Sequence, residues 1–436
     1  MPLDNSKLLS ADRTHIISAL TAVGNKLPAD WLSVGHPGPD GQLPRTWSQA
    51  NAWTPSQRVE AVAFSGPTHC VDGWGYASRA LSAFLAGDFH AARHLAYYAQ
   101  LRAGLSILAG MGVGVFNGIN FVVLSNGGTE RVDPTATPSR SGLGTHVMVW
   151  EALEAWSAST PGADLFLSLM KVRNSTVAEC VEAIWPGFNS QSAATQLVSA
   201  WGLDLQRGKS EHRYRKVSSY VPHAFNALAC QPVDVAKLLS NIWELFEPSA
   251  GPGFDQLDRY LLRSSLWRQH QANAPGAPIE AGALKDRYKL LPDDVKAIAS
   301  ENFLLGLDDP DEPLLVQLAR STAGPAAAHE MIARSLLLLR AALAITHANL
   351  SAAGVAGGPA LRPWLDRLAI QRGFFATSAQ IGHMADLWSD VEIALEDMGA
   401  GIDPVPESLH EWFSKSPVGI PTVTEAERIG LWSLCA

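Results

Sequence analysis

The 436-residue chain has little cysteine and little charge. Its four cysteines (Cys70, Cys180, Cys230, Cys435) lie far apart, and no Cys-x-x-Cys pair occurs. A local zinc or dithiol motif is thereby excluded, and usage this low fits reduced, buried thiols in a cytoplasm. Charged residues make up 17% against 47% apolar, which argues against both a disordered chain and a coiled coil. The 33 Lys and Arg are outnumbered by 42 Asp and Glu, for a net charge of −9. Such a chain lacks the overall electrostatic footprint of a duplex-DNA binder, although a local basic patch stays compatible with it. The opening MPLDNSKLLSADRTH has no apolar core of signal-peptide length, so a cytoplasmic location is expected. The uncharged run Ala103–Thr129 is long enough to span a bilayer. Its glycines and asparagines, with the Gly-Met-Gly-Val-Gly stretch at Gly110–Gly114, favour buried soluble structure, and no membrane partner is expected.

What is present is helical periodicity. Residues 28–58 are dense in Pro, Gly and Trp and predict an ordered, irregular segment. From Asp72 to Ala109 apolar residues recur at three and four, with Gly87 closing one helix and Asp88 capping the next. Asn117-Gly118 between β-formers predicts a hairpin pairing Val113–Phe116 with Ile119–Val123, followed by a polar loop to Gly144. Helical patterns then resume, and Ala272–Ala283 is the best linker candidate. The expected fold is mainly α, a multi-helix bundle with one small hairpin. Three segments are expected: 1–65 irregular with an N-terminal helix, 66–271 helical with the hairpin, and 284–436 helical.

Several constellations invite a chemical reading. Gly202…Gly208-Lys209-Ser210 has five residues between its glycines where a phosphate loop needs four, which leaves a polar surface loop. The cluster Arg207, Lys209, His212, Arg213, Arg215 and Lys216, interleaved with Tyr214 and Tyr220, concentrates positive charge in an acidic chain. Cations with aromatic faces suit RNA or a nucleotide; the bland alternative is a solvated loop or helix end. Cys70 beside Asp72 reads as a thiol near a helix start, with His94 or His146 as a distant base; the alternative is a small buried cysteine. His90 and His94 stand at i, i+4 on one face with Arg93 and Tyr97, and a polar seam is favoured there over a metal site. Arg-x6-His puts a phosphate-holding cation and a proton-transfer group two turns apart on one helical face. Arg263…His270 and Arg340…His347 have this spacing and fall on predicted helices, whereas the shorter-spaced Arg140…His146 and Arg207…His212 fall in loops.

Three strings carry a resemblance: DGWGYASRALSAFLAGDFHAARHLAYYAQLRAGLSILAGMGVGVFN, GTHVMVWEALEAW, and HRYRKVSSYVPHAF with FDQLDRYLLRSSLW. Over residues 66–270 the chain loosely resembles YaaC-like bacterial all-helical proteins and HEPN-like helical domains of toxin and antiviral defence systems. The HEPN-like resemblance implies metal-independent RNA cleavage or binding. Arg263-Ser264…His270 fits its Arg-x4–6-His form, while Arg340-Ala341…His347 departs from it after the arginine. The expectation is therefore that Arg263 contacts phosphate, His270 acts as acid and base, and Arg207, Lys209, Arg213, Arg215 and Lys216 guide the strand. No metal and no cofactor are expected. The rival is a non-catalytic helical subunit of a multiprotein complex, its tryptophans burying an operon-encoded partner.

Overall fold

The computed structural model describes residues 3–24, 26–37, 47–116, 118–132, 143–203, 205, 207–220, 232–279, 282–321, 327–375, 383–400, 411, 414–415 and 419–436. Along the chain come α1 (Pro55–Leu85), α2 (Phe89–Gly110), β1 (Val113–Phe116), β2 (Ile119–Val123) and β3 (Thr129–Arg131). They are followed by α3 (Thr145–Ser157), α4 (Ser190–Ala200), α5 (Arg207–Tyr220), α6 (Asp255–Asn273), α7 (Leu314–Arg320), α8 (Ala328–Ala352) and α9 (Glu427–Cys435), with further helices between. The protein is mainly α, with small antiparallel sheets.

α1 begins well before the expected start at Asp72. Thr54 and Gln57 form a reciprocal capping box, and Pro55 occupies the first helical turn, where its missing N–H costs nothing. Pro67 lies inside the helix without ending it. The nearby Thr68 hydroxyl donates to the Phe64 carbonyl at 2.9 Å. Burial of Val62, Cys70, Trp74 and Leu81 on this helix outweighs the ~3 kcal/mol that an interior proline costs. Gly87, at φ +77°, reverses the chain, and the Asp88 side chain accepts from the Ala91 N–H at 2.9 Å. The resulting helical hairpin follows the expected break.

β1 and β2 pair antiparallel in the expected register, with Val113 opposite Val122 and Phe116 opposite Ile119. Gly118 takes the positive φ that the turn demands, while Asn117 lies outside the described residues. β3 adds to β2 as a third strand within the stretch expected to be loop. Its three residues, Thr129-Glu130-Arg131, are too polar to announce a strand. A second two-stranded ribbon joins Lys171–Val172 to Ser175–Thr176.

α8 packs along both α1 and α2. One continuous apolar cluster runs from Leu3 to Leu434. That cluster draws residues from all three expected segments, and α8 supplies the apolar face that covers the α1–α2 hairpin. Among the described residues, α8 is the one helix long and apolar enough to cross a membrane, and most of that stretch is buried in the fold. The run Ala103–Thr129 is divided between the end of α2 and the sheet.

Two buried arginines interrupt α8. Arg334 pairs with Glu211 of α5 at 2.6 Å. Arg340 grips both carboxylate oxygens of Asp258 on α6 at 2.9 Å. Removing one partner of such a pair leaves an uncompensated buried charge. Arg340→Met is therefore expected to lower unfolding free energy by about 3–5 kcal/mol in urea titration. Arg340→Met with Asp258→Leu should recover most of that loss; equal losses in the single and double variants would contradict the assignment.

Candidate functional site

The basic cluster is neither a loop nor a helix end. It is the body of α5, and Gly208-Lys209-Ser210 is helical, which removes the phosphate-loop reading. Hydropathy gives this helix little amphipathic signal, so its placement depends on two tertiary contacts. Gly208 sits against the ring of Trp150 on α3, where any Cβ would collide. Glu211 is drawn to Arg334, and burial raises its carboxyl while that guanidinium opposes the rise.

With α5 anchored this way, its polar residues divide between two faces. Lys209, Arg213, Lys216 and Tyr220 are exposed and spaced four, three and four, so they form one outward stripe. Lys209 pairs with Glu154 of α3 at 3.3 Å. His212, Arg215 and Ser219 turn toward α2. The His212 ring stacks on His146 of α3 with centroids 4.7 Å apart, and on Tyr97 at 5.6 Å. The Arg215 guanidinium lies 5.8 Å from the Tyr97 ring centre and 5.7 Å from that of Tyr98. Cation–aromatic contacts at this distance are attractive and fix the guanidinium against the ring faces.

Hydrogen bonds set the protons. The Trp150 indole N–H donates to the Tyr97 hydroxyl at 3.3 Å. The hydroxyl proton is then available to His146 Nδ1, 3.0 Å away, which makes His146 the Nε2–H tautomer. Ser219 donates to the Arg215 carbonyl at 2.9 Å, so its oxygen accepts from His94 Nδ1 at 2.7 Å. Burial, reinforced by Arg215, holds both His94 and His146 below the ordinary histidine range. His212 is pushed down to about 4, first by burial and then by His146, Lys216 and Arg215. The three imidazoles are therefore neutral at pH 7.

The band of rings continues along α1. Tyr98 stacks on Tyr76 at 5.4 Å, and Arg79 lies 4.4 Å from the Tyr76 ring centre. Arg102 donates to His69 Nδ1 at 2.8 Å; burial, followed by the Arg102 charge, pushes His69 down to about 3.

The remaining sequence candidates have other surroundings. Arg263 is buried on α6 and donates to the carbonyls of Phe303, Asp309 and Asp311. His270 is also buried, with Nε2 3.1 Å from the Ala277 carbonyl and its ring against Gly282. Arg340 belongs to the Asp258 ion pair, and His347 Nδ1 meets Ser351 at 3.3 Å. Arg140 lies outside the described residues. Cys70 is in mid-helix rather than at a helix start, with Ser106 and Thr346 as neighbours, and burial pushes its thiol up to about 12. A thiol held protonated in this way is no nucleophile. Among the described residues no three His, Cys, Asp or Glu side chains gather as metal ligands, His90 and His94 included.

Sequence reasoning missed the meeting of Tyr97, His146 and His212, since nothing local pairs residues so distant along the chain. The chain matches no protein-family model, no curated protein and no solved structure.

A histidine whose folded pKa is depressed favours folding above its unfolded value near 6.5 and loses that contribution as pH falls toward the folded value. For His212 the window runs from about 6.5 down to about 4. The melting temperature should fall on going from pH 7.5 to pH 5, and His212→Asn should reduce that fall. Parallel pH profiles for the two proteins would refute the neutral assignment.

Proposed function

We propose that the protein binds single-stranded RNA along the band from Arg79 and Tyr76, across Tyr98, His146 and His212, to the outer stripe of α5, with Tyr97 buried beneath as the support of these rings. The observation that supports this reading is the alternation of rings and cations along one series of contacts in a chain of net charge −9. Aromatic faces stack on bases without regard to sequence, and Lys and Arg neutralise the phosphates. The loose HEPN-like resemblance agrees in substrate class. Cleavage would draw on Arg263 and His270, and a scissile phosphate reaching Arg263 would first have to displace the carbonyls of Phe303, Asp309 and Asp311. The geometry therefore favours binding over cleavage by this pair.

Arg213 and Lys216 are the exposed cations to test. Arg213→Glu with Lys216→Glu should weaken binding of a fluorescent oligoribonucleotide by about tenfold or more and flatten its salt dependence by about one to two in slope. Unchanged affinity at low salt would remove the reading. For the catalytic pair the decisive variant is His270→Ala, with folding checked by circular dichroism. Loss of RNA cleavage would assign chemistry to His270, and an unchanged result would leave it a structural residue.

A further inference from the structure

The band of rings is built around a cation that no acid opposes. Arg215 is 7% exposed, and among the described residues its guanidinium has neither a hydrogen-bond acceptor nor an ion-pair partner. Its Nε is a buried donor left unmatched. The faces of Tyr97 and Tyr98 attract the charge, but they leave its in-plane N–H donors unsatisfied. A buried guanidinium without a counter-ion is costly, and a phosphate is the anion whose oxygens match its planar fork.

Two imidazoles stand beside this cation in opposite tautomers. Both lie against the Tyr98 ring, with centres 5.0 Å away for His94 and 5.9 Å away for His146. His94 donates from Nδ1 to Ser219, which leaves its Nε2 without a proton. His146 accepts at Nδ1 from Tyr97, so its Nε2 carries the proton. Neither Nε2 has a partner among the described residues, and neither is sealed away from water. Burial, followed by the Arg215 charge, keeps both rings neutral at pH 7, and Lys216 adds to this at His146. A base, a hydrogen-bond donor and a fixed cation thus meet on α2, α3 and α5. That set is sufficient for acid–base chemistry on a phosphodiester.

We infer that this surface cleaves the RNA it binds, by transesterification at a phosphodiester seated on Arg215, with His94 as the general base. The inference rests on the RNA-binding reading, and it assigns the chemistry to residues other than Arg263 and His270. His94 Nε2 takes the proton of the ribose 2′-hydroxyl. The 2′-oxygen bonds to phosphorus as the bond from phosphorus to the 5′-oxygen breaks, which leaves a 2′,3′-cyclic phosphate. The departing 5′-oxygen takes a proton from water, and the hydroxide so formed takes the proton held by His94, which restores the neutral ring. Arg215 balances the charge that gathers on the phosphoryl oxygens, and His146 Nε2–H donates to one of them.

The test uses the full chain, a fluorescent hexaribonucleotide and, as a strand that binds but lacks the attacking hydroxyl, its 2′-O-methyl counterpart. The ribose strand should be cut to fragments whose mass shows a 2′,3′-cyclic phosphate, and the 2′-O-methyl strand should stay whole. His94→Gln should slow cleavage by about a hundredfold or more and keep its affinity for the 2′-O-methyl strand, which also reports that the surface is intact. His146→Gln should slow cleavage in the same way, and the remote exposed variant His383→Gln should match the wild type. Binding of both strands with no cleavage of the ribose strand would overturn this inference alone. Cleavage that survives His94→Gln but is lost in His270→Ala would overturn it in favour of the buried pair. Failure to bind the 2′-O-methyl strand would remove the RNA-binding reading and this inference with it.

Discussion

The two guanidinium groups buried on α8 constrain everything around them. A helix rich in leucine, isoleucine and alanine keeps some freedom to shift along its axis within an apolar core, where shape complementarity is the main opposition. Arg334 and Arg340 remove that freedom. Each needs an acid at hydrogen-bonding distance, and Glu211 and Asp258 are the acids that meet them. Desolvating both partners offsets much of the attraction, so the pairs add less to net stability than to uniqueness of arrangement. Their effect is to tie α5 and α6 to fixed positions along α8. The ring-lined surface inherits its shape from that placement.

The electrostatics of the surface follow from the same arrangement. Because α5 is drawn inward by Glu211, its neighbouring turns press His212 and Arg215 onto the rings of α2 and α3. The permanent cation and partial burial then keep the imidazoles uncharged. Positive charge on this side of the molecule is thus confined to arginine and lysine, whose protonation does not vary over the physiological range. The histidines serve there as flat, polarisable rings with one donor and one acceptor each.

What could be read from the sequence was local. The hairpin of Val113–Val123 and the Gly87–Asp88 helix break rest on turn and cap chemistry written in adjacent residues, and both stand as expected. The helical nature of Arg207–Tyr220 was hidden because its residues are almost all polar; a glycine fitted to Trp150 and a glutamate reaching for α8 decide it from outside the segment. The early start of α1 was obscured by Pro67, which usually ends a helix but here is overridden by apolar packing. The Arg-x6-His spacing located Arg263 and His270 on one helix, as expected, yet spacing carries no information on the carbonyls that occupy them.

The placement of α8 across the α1–α2 hairpin also bears on how the chain is made. During synthesis α1 and α2 emerge long before the segment that covers them, so a broad greasy face waits without its mate while the ribosome completes the middle of the polypeptide. Contacts that distant in the chain are slow to form, and a nascent intermediate of this kind is prone to self-association. Chaperone capture of the growing chain, and sensitivity of yield to any ribosomal pause before Ala352, are natural properties of a molecule whose keystone is translated late.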